Sequence, residues 1–164
     1  GGAFLFLKFI MMNLIEQLKK HEGFEPDYYQ CTADKKTIGY GRNVDNNPFT
    51  DEELIMLGRD NFDVTPMTED EAEVLLVNDV KKVEASIKQL LPWHKLNSAR
   101  QAVCTNMAFN LGTGGFSRFK RMVAAINDFY FEKAANEMLD SRWAKQVHGR
   151  AIELAEQMKT GHWQ

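Results

Sequence analysis

The sequence predicts an α+β fold, mainly α, in which a small β-hairpin lobe and a larger helical lobe are joined by a long helix. Three observations carry this. One short stretch, "YYQCTADKKTIGYG" at 28–41, is β-prone on both sides of a polar turn. Thr68 with Glu71 forms a capping box that opens an apolar repeat at Ala72, Leu75, Leu76, Val80, Val83, Ile87 and Leu90, so one helix of more than twenty residues runs up to Pro92. The remaining chain reads as four shorter helices, at about 97–111 ending at Gly112, 117–128, 131–140 and 149–159.

The elements before the long helix follow in order. Leu14, Ile15 and Leu18 share one face of a helix that stops at Glu22-Gly23, and Pro26 prevents its continuation. Gly39 and Gly41 alternate with bulky residues, as where a backbone or a ligand approaches closely. Loop signals fill 43–67, with a short helix starting at Thr50. A single domain 1–164 is expected, with 25–67 as the small lobe, 68–91 as the interlobe helix, and 1–24 with 92–164 as the helical lobe. Within 164 residues that are 44% hydrophobic and 26% charged, nothing reads as disorder, repeat or low complexity.

The opening "GGAFLFLKFI" is too short an apolar run to span a bilayer and lacks the small-residue site of a cleaved signal. It reads either as an extension of the first helix packing on the core or as a membrane-seeking or engineered addition, with Met11-Met12 as a native start. Charge is uneven. Residues 1–90 hold ten Lys and Arg against seventeen Asp and Glu, whereas 91–164 hold ten against six. The basic half can face a polyanion such as a cell wall or a nucleic acid.

Cys31 and Cys104 lie too far apart for a metal-ligand spacing, and His21, His94, His148 and His162 do not cluster. "HEGFE" at 21–25 departs from the zinc-binding H-E-x-x-H pattern at its fifth residue, so no metal is expected. Glu22 sits at a helix end amid Phe24, Tyr28 and Tyr29. That partly dry setting suits a general acid, although a solvated helix-end carboxylate fits the same pattern. Cys31 fits either an inert thiol or a nucleophile in want of a base, and nothing nearby in sequence supplies a lowered thiol pKa. Thr37 fits an ordinary strand position.

Taken together, the string Glu22, eight residues, Cys31, five residues, Thr37, with "EG" after the first helix and "TIGYG" closing the hairpin, resembles the catalytic signature of phage-type lysozymes. These are the endolysin muramidases of glycoside hydrolase family 24. The resemblance extends through "TEDEAEVLLVNDV" at 68–80, "NMAFNLG" at 106–112, "SRW" at 141–143, "GRA" before the last helix and the closing "TGHW". It implies a lysozyme-like fold and an enzyme that cuts peptidoglycan between N-acetylmuramic acid and N-acetylglucosamine by inversion. Glu22 then matches the general acid, Thr37 a hydroxyl that helps hold the attacking water, and Cys31 a position that is Asp in many members and Cys in others. Asn106, Phe109 and Asn110 match substrate-lining positions, and Arg150 an arginine near the catalytic glutamate.

The family also implies a phage-encoded monomer that needs no cofactor, is made in the host cytoplasm and acts on the wall in the periplasm. Its expected partner is the glycan strand, with residues 3–12 as a candidate membrane contact and no nucleic acid. With the whole length used by the catalytic fold, no separate wall-binding domain is expected. A lytic transglycosylase and a non-catalytic wall-binding module are the alternatives. Two features depart from the family pattern: overall acidity, which makes the basic second half the candidate docking face, and Arg42 where members commonly carry His after "TIGYG". An Arg42 pair with Asp79 is expected to replace a His–Asp pair.

Overall fold

A computed structural model describes residues 2–164. Helix α1, Gly2–Glu22, ends because Gly23 adopts a left-handed φ of 72° and returns its N–H to the Lys19 carbonyl at 2.9 Å. Leu14, Ile15 and Leu18 on its core face are buried, and full burial of each Leu or Ile contributes about 1.5–3 kcal/mol. The helix does continue through the opening segment, but Leu5 and Phe9 remain 66% and 63% exposed. The extension therefore does not pack those two side chains on the core, which corrects that part of the sequence reading.

The hairpin is a three-stranded antiparallel sheet: β1, Glu25–Gln30, pairs with β2, Lys36–Gly39, which pairs with β3, Arg42–Asn43. The two-residue β3 was not legible in the sequence. Helix α2, Asp51–Leu57, starts at the expected Thr50, whose hydroxyl accepts the Glu53 N–H while the Glu53 carboxylate accepts the Thr50 N–H. The same reciprocal box joins Thr68 and Glu71 at the start of α3, Glu69–Ile87. This helix has 19 α-helical residues rather than more than twenty, because Lys88–Leu90 tighten into a 3-10 turn before Pro92.

A second 3-10 turn, Trp93–Lys95, precedes α4, Ser98–Ser117, and then α5, Lys120–Asn127, α6, Phe131–Leu139, α7, Arg142–Val147, and α8, Gly149–Thr160. Gly112 breaks α4 where expected. It kinks the chain at φ 79°, and helix resumes to Ser117. The short α7 was also missed. It starts because Ser141 accepts the Ala144 N–H, and it buries Trp143 to 3% exposure.

The chain divides into two compact units, Gly1–Asp79 and Val80–Gln164. In the first, Lys19 bonds Glu73 at 2.7 Å, tying α1 to α3, and Phe24 lies 5.5 Å from Tyr40. In the second, α4 to α8 enclose one apolar core that includes Met107, Phe116, Ile126, Met138, Trp143 and Leu154.

Candidate active site

In the first unit Glu22 ends α1 just before the hairpin that carries Cys31 in its turn and Thr37 on β2. Glu22 is the last residue of α1, and its carboxylate lies against the Cα of Gly41: a Cβ at position 41 would come within 2.8 Å of Glu22 Oε2 and 3.1 Å of its Cδ. Gly41 also has φ 75°, a left-handed conformation that glycine adopts freely. Both observations exclude a side chain there, so the close approach anticipated near Gly39 and Gly41 is made at Gly41 by the carboxylate of Glu22. Gly41→Ala is expected to displace that carboxylate and lower turnover at least tenfold while costing on the order of 1–2 kcal/mol of stability. Paired activity and melting measurements check this, and full activity would disprove it.

Cys31 opens the turn between β1 and β2. Its N–H reaches the Lys35 carbonyl at 3.0 Å and its carbonyl takes the Asp34 N–H at 2.8 Å, with Asp34 at φ 59° closing the loop. The thiol is half-buried within this turn. Its pKa is lowered, chiefly by the Lys35 backbone N–H; partial burial opposes this, and the Ala33 N–H supports it. The expectation that nothing nearby favours the thiolate is thus corrected. The donors are backbone groups, which residue identities do not reveal.

Thr37 is buried to 2% and donates its hydroxyl hydrogen to the Lys35 carbonyl at 2.8 Å, which fixes the rotamer and leaves oxygen lone pairs for other donors. Directly across the sheet from Thr37 stands Tyr29. Burial, then the charges of Glu22, Cys31 and Glu25, push its phenol above the usual value. Tyr29 therefore belongs to the same group of side chains, a membership that its sequence position suggested only as aromatic surroundings for Glu22.

The hairpin is held by Arg42. Its Nε donates to the Asn47 carbonyl at 2.8 Å, Nη1 to Glu53 and Asp79, each at 3.0 Å, and Nη2 to Glu53 at 2.7 Å and the Pro48 carbonyl at 3.1 Å. All five N–H donors are used in a site where Arg42, Glu53 and Asp79 are 4%, 5% and 8% exposed. The expected Arg42–Asp79 pair is present. Glu53 is the partner that sequence reasoning missed, although the Thr50–Glu53 capping box marked it as an ordered carboxylate. Burial raises the Glu53 pKa, but Arg42, the Thr50 N–H and Asn78 outweigh it and hold the carboxyl down to about 2.

In the second unit a separate group forms. Asn106, fully buried on α4, accepts Arg150 Nε at 3.0 Å and Nη2 at 2.8 Å on its side-chain oxygen. One turn on, Asn110 accepts the Trp143 indole N–H at 2.6 Å. His148 has a left-handed φ of 48° that redirects the chain between α7 and α8, placing Arg150 in the first turn of α8. Asn106, Asn110 and Arg150 are thus assembled with Trp143, while half-buried Phe109 lies beside Asn110 in sequence. Trp143 was legible only as part of "SRW".

The mainly helical fold with its small three-stranded antiparallel sheet is that of the lysozyme class of glycan hydrolases. The phage lysozyme family matches residues 19–158, and the chain belongs to it. The chain is 31% identical to a pre-baseplate central spike protein of Enterobacteria phage T4 over 92% of its own length and 28% of that protein's. It is 26% identical to a probable T4-type lysozyme of Dictyostelium discoideum over 93% and 96% of the two chains. An endolysin of Acyrthosiphon pisum secondary endosymbiont phage 1 matches with 26% identity over 84% and 82%. Family membership makes the chain a glycoside hydrolase of the lysozyme class acting on peptidoglycan.

Proposed function

We propose that this lysozyme hydrolyses the β-1,4 bond between N-acetylmuramic acid and N-acetylglucosamine with inversion, Glu22 being the general acid. The observation that carries the reading is the seating of the Glu22 carboxylate on Gly41, on the hairpin that also holds Cys31 and Thr37. Glu22 gives its proton to the leaving glycosidic oxygen, and water attacks the opposite face of the oxocarbenium-like carbon. Thr37 and Cys31 orient that water, and the lowered pKa of the thiol favours the form that accepts hydrogen bonds better. Asn106, Phe109, Asn110 and Arg150 contribute substrate contacts. The test is product analysis on purified peptidoglycan: hydrolysis yields a free reducing muramic acid of inverted anomeric form, whereas an anhydro product lighter by one water identifies a transglycosylase.

Cys31 acts by positioning water, so Cys31→Ser is expected to keep activity within about a hundredfold of wild type. Loss as deep as that of Glu22→Gln would make the thiol a nucleophile or an essential base and sink this assignment.

The reading includes a phage-encoded monomer that is made in the host cytoplasm and degrades the wall from the periplasm during lysis. The match to a phage endolysin supports this. It keeps the lobe limits of 25–67, 68–91, and 1–24 with 92–164. Among the described residues no helix is long and apolar enough to cross a membrane. Residues 3–12 are proposed instead to lie on a membrane surface, because Leu5, Phe9 and Met12 are exposed at the spacing of one helix face. Vesicle co-sedimentation should be lost on deleting them, and undiminished binding would exclude the segment.

A further inference from the structure

We infer that the outer face of α2, with the groove beside it, docks a cationic amphipathic segment of a partner protein. None of the side chains assigned to hydrolysis lies on α2.

A surface helix ordinarily turns its apolar side chains to the core and its charges to water. Helix α2 does the reverse. The residue it buries is Glu53, held by Arg42, Asn78 and the Thr50 N–H, while Ile55 and Met56 stand 79% and 65% exposed. An ion-pair network anchors the helix in place of apolar burial, so these two large apolar side chains are not needed to hold it.

Arg59 ties the following loop to the end of the same helix. Its N–H donates to the Leu54 carbonyl at 3.0 Å and its guanidinium to the Thr65 and Pro66 carbonyls, each at 2.8 Å. That loop carries Val64, which is 91% exposed. Ile55 also lines a groove, together with Asp51, Leu54, Gly58, Arg59 and Asp60. Single exposed apolar side chains need no explanation, but adjoining ones beside a groove mark an interaction surface.

Charge selects the occupant. Residues 43–70 hold eight Asp and Glu against one cation, Arg59, which is neutralised by a two-point ion pair with Glu71 at 2.9 and 2.7 Å. Asp51, Glu52, Asp60 and Asp63 are exposed, and among the described residues their carboxylates make no ion pair. An apolar surface bordered by unpaired carboxylates repels anionic lipid, nucleic acid and an anionic wall polymer alike. It attracts a polypeptide segment in which Lys or Arg is interleaved with apolar side chains. Folded as an amphipathic helix, such a segment lays its apolar face on Ile55 and Met56 and its cations against Asp51 and Asp60.

The test titrates the full chain into a fluorescein-labelled synthetic helical peptide of Leu and Lys, and into a twin in which Glu replaces every Lys. The Lys peptide is expected to bind and its twin to fail. Ile55→Ser with Met56→Ser should weaken binding about tenfold, as when central apolar contacts are removed. Asp51→Asn with Asp60→Asn should weaken it about fivefold at low salt and less at high salt. Ile152→Ser, which alters an exposed isoleucine beside Glu153 on α8, should change nothing. Every variant should keep wild-type hydrolysis and melt within about 2 °C of wild type, since the substituted side chains are exposed.

Equal binding of both peptides, no binding of either, or binding that neither α2 variant weakens overturns the proposal. A larger fall in melting temperature for Ile55→Ser with Met56→Ser overturns it too, by giving those side chains a structural duty. So does self-association of the chain, or its binding to vesicles containing phosphatidylglycerol, that disappears in the same variant. The first would make the occupant a second copy, and the second a lipid surface.

Discussion

Glu22→Gln should abolish peptidoglycan hydrolysis, by at least a thousandfold, and leave the melting temperature within about 2 °C of wild type. A positioned general acid supplies roughly 10²–10⁴ in rate, and an amide cannot give up a proton to the leaving oxygen. The substitution keeps the side chain's size, so the approach to Gly41 is preserved and the hairpin is not disturbed. Reducing-end release from purified sacculi, together with a thermal melt, measures both quantities. Residual activity above about a tenth of wild type would show that another group protonates the leaving oxygen.

The second large effect concerns stability. Arg42→Gln should destabilise the protein by about 3–5 kcal/mol at pH 7, because it leaves Glu53 and Asp79 buried without their cation. For a chain of this length that is a fall of roughly 10 °C in melting temperature. Activity should fall with it, since Arg42 lies opposite Ile38 in the sheet that carries Thr37.

The pH dependence has a definite sign. The Glu53 carboxyl is held at about 2, below its ordinary 4.5, so its contribution is complete above 4.5 and is lost as pH falls from 4.5 through about 2. Wild type should therefore lose this stability in that acid window and stay flat between pH 5 and 7, while the penalty of Arg42→Gln should shrink below pH 4.5. Arg42→His should introduce a slope where wild type has none. A histidine paired with carboxylates stabilises below its unfolded pKa near 6.5, and that stabilisation is lost as pH rises through the raised folded value. Parallel melting curves for Arg42→His and wild type between pH 5 and 7 would disprove this.

Much of the fold was legible because its signals are local. Gly23 and Pro26 end α1, the capping boxes at Thr50 and Thr68 open α2 and α3, and the apolar repeat of α3 persists for five turns. What escaped was set by tertiary contact. Six residues of α7 are too few for periodicity to speak, and their helix exists because Trp143 is buried and Ser141 caps it. At Gly112 the sequence announces a break, but not that helix resumes beyond it.

The site was less legible. The spacing of Glu22, Cys31 and Thr37 acquired meaning only through resemblance to a family, because no periodicity distinguishes a catalytic glutamate from a solvated one. Gly41 carried a signal of close approach without naming what approaches. Trp143 under Asn110 and the N–H groups beneath Cys31 depend on how distant or backbone atoms are placed, which side-chain identity does not encode.

The two cysteines have a practical use. Cys104 is 1% exposed and burial pushes its thiol up to about 12, whereas Cys31 is half-buried with a lowered pKa in the turn beside Thr37. Thiol reagents attack thiolates that they can reach, so the folded chain offers them a single address. A fluorophore or spin label carried on that sulfur would need no engineered cysteine. It would report on the hairpin alone, and its rate of attachment in the presence of glycan fragments would measure how often the turn is covered.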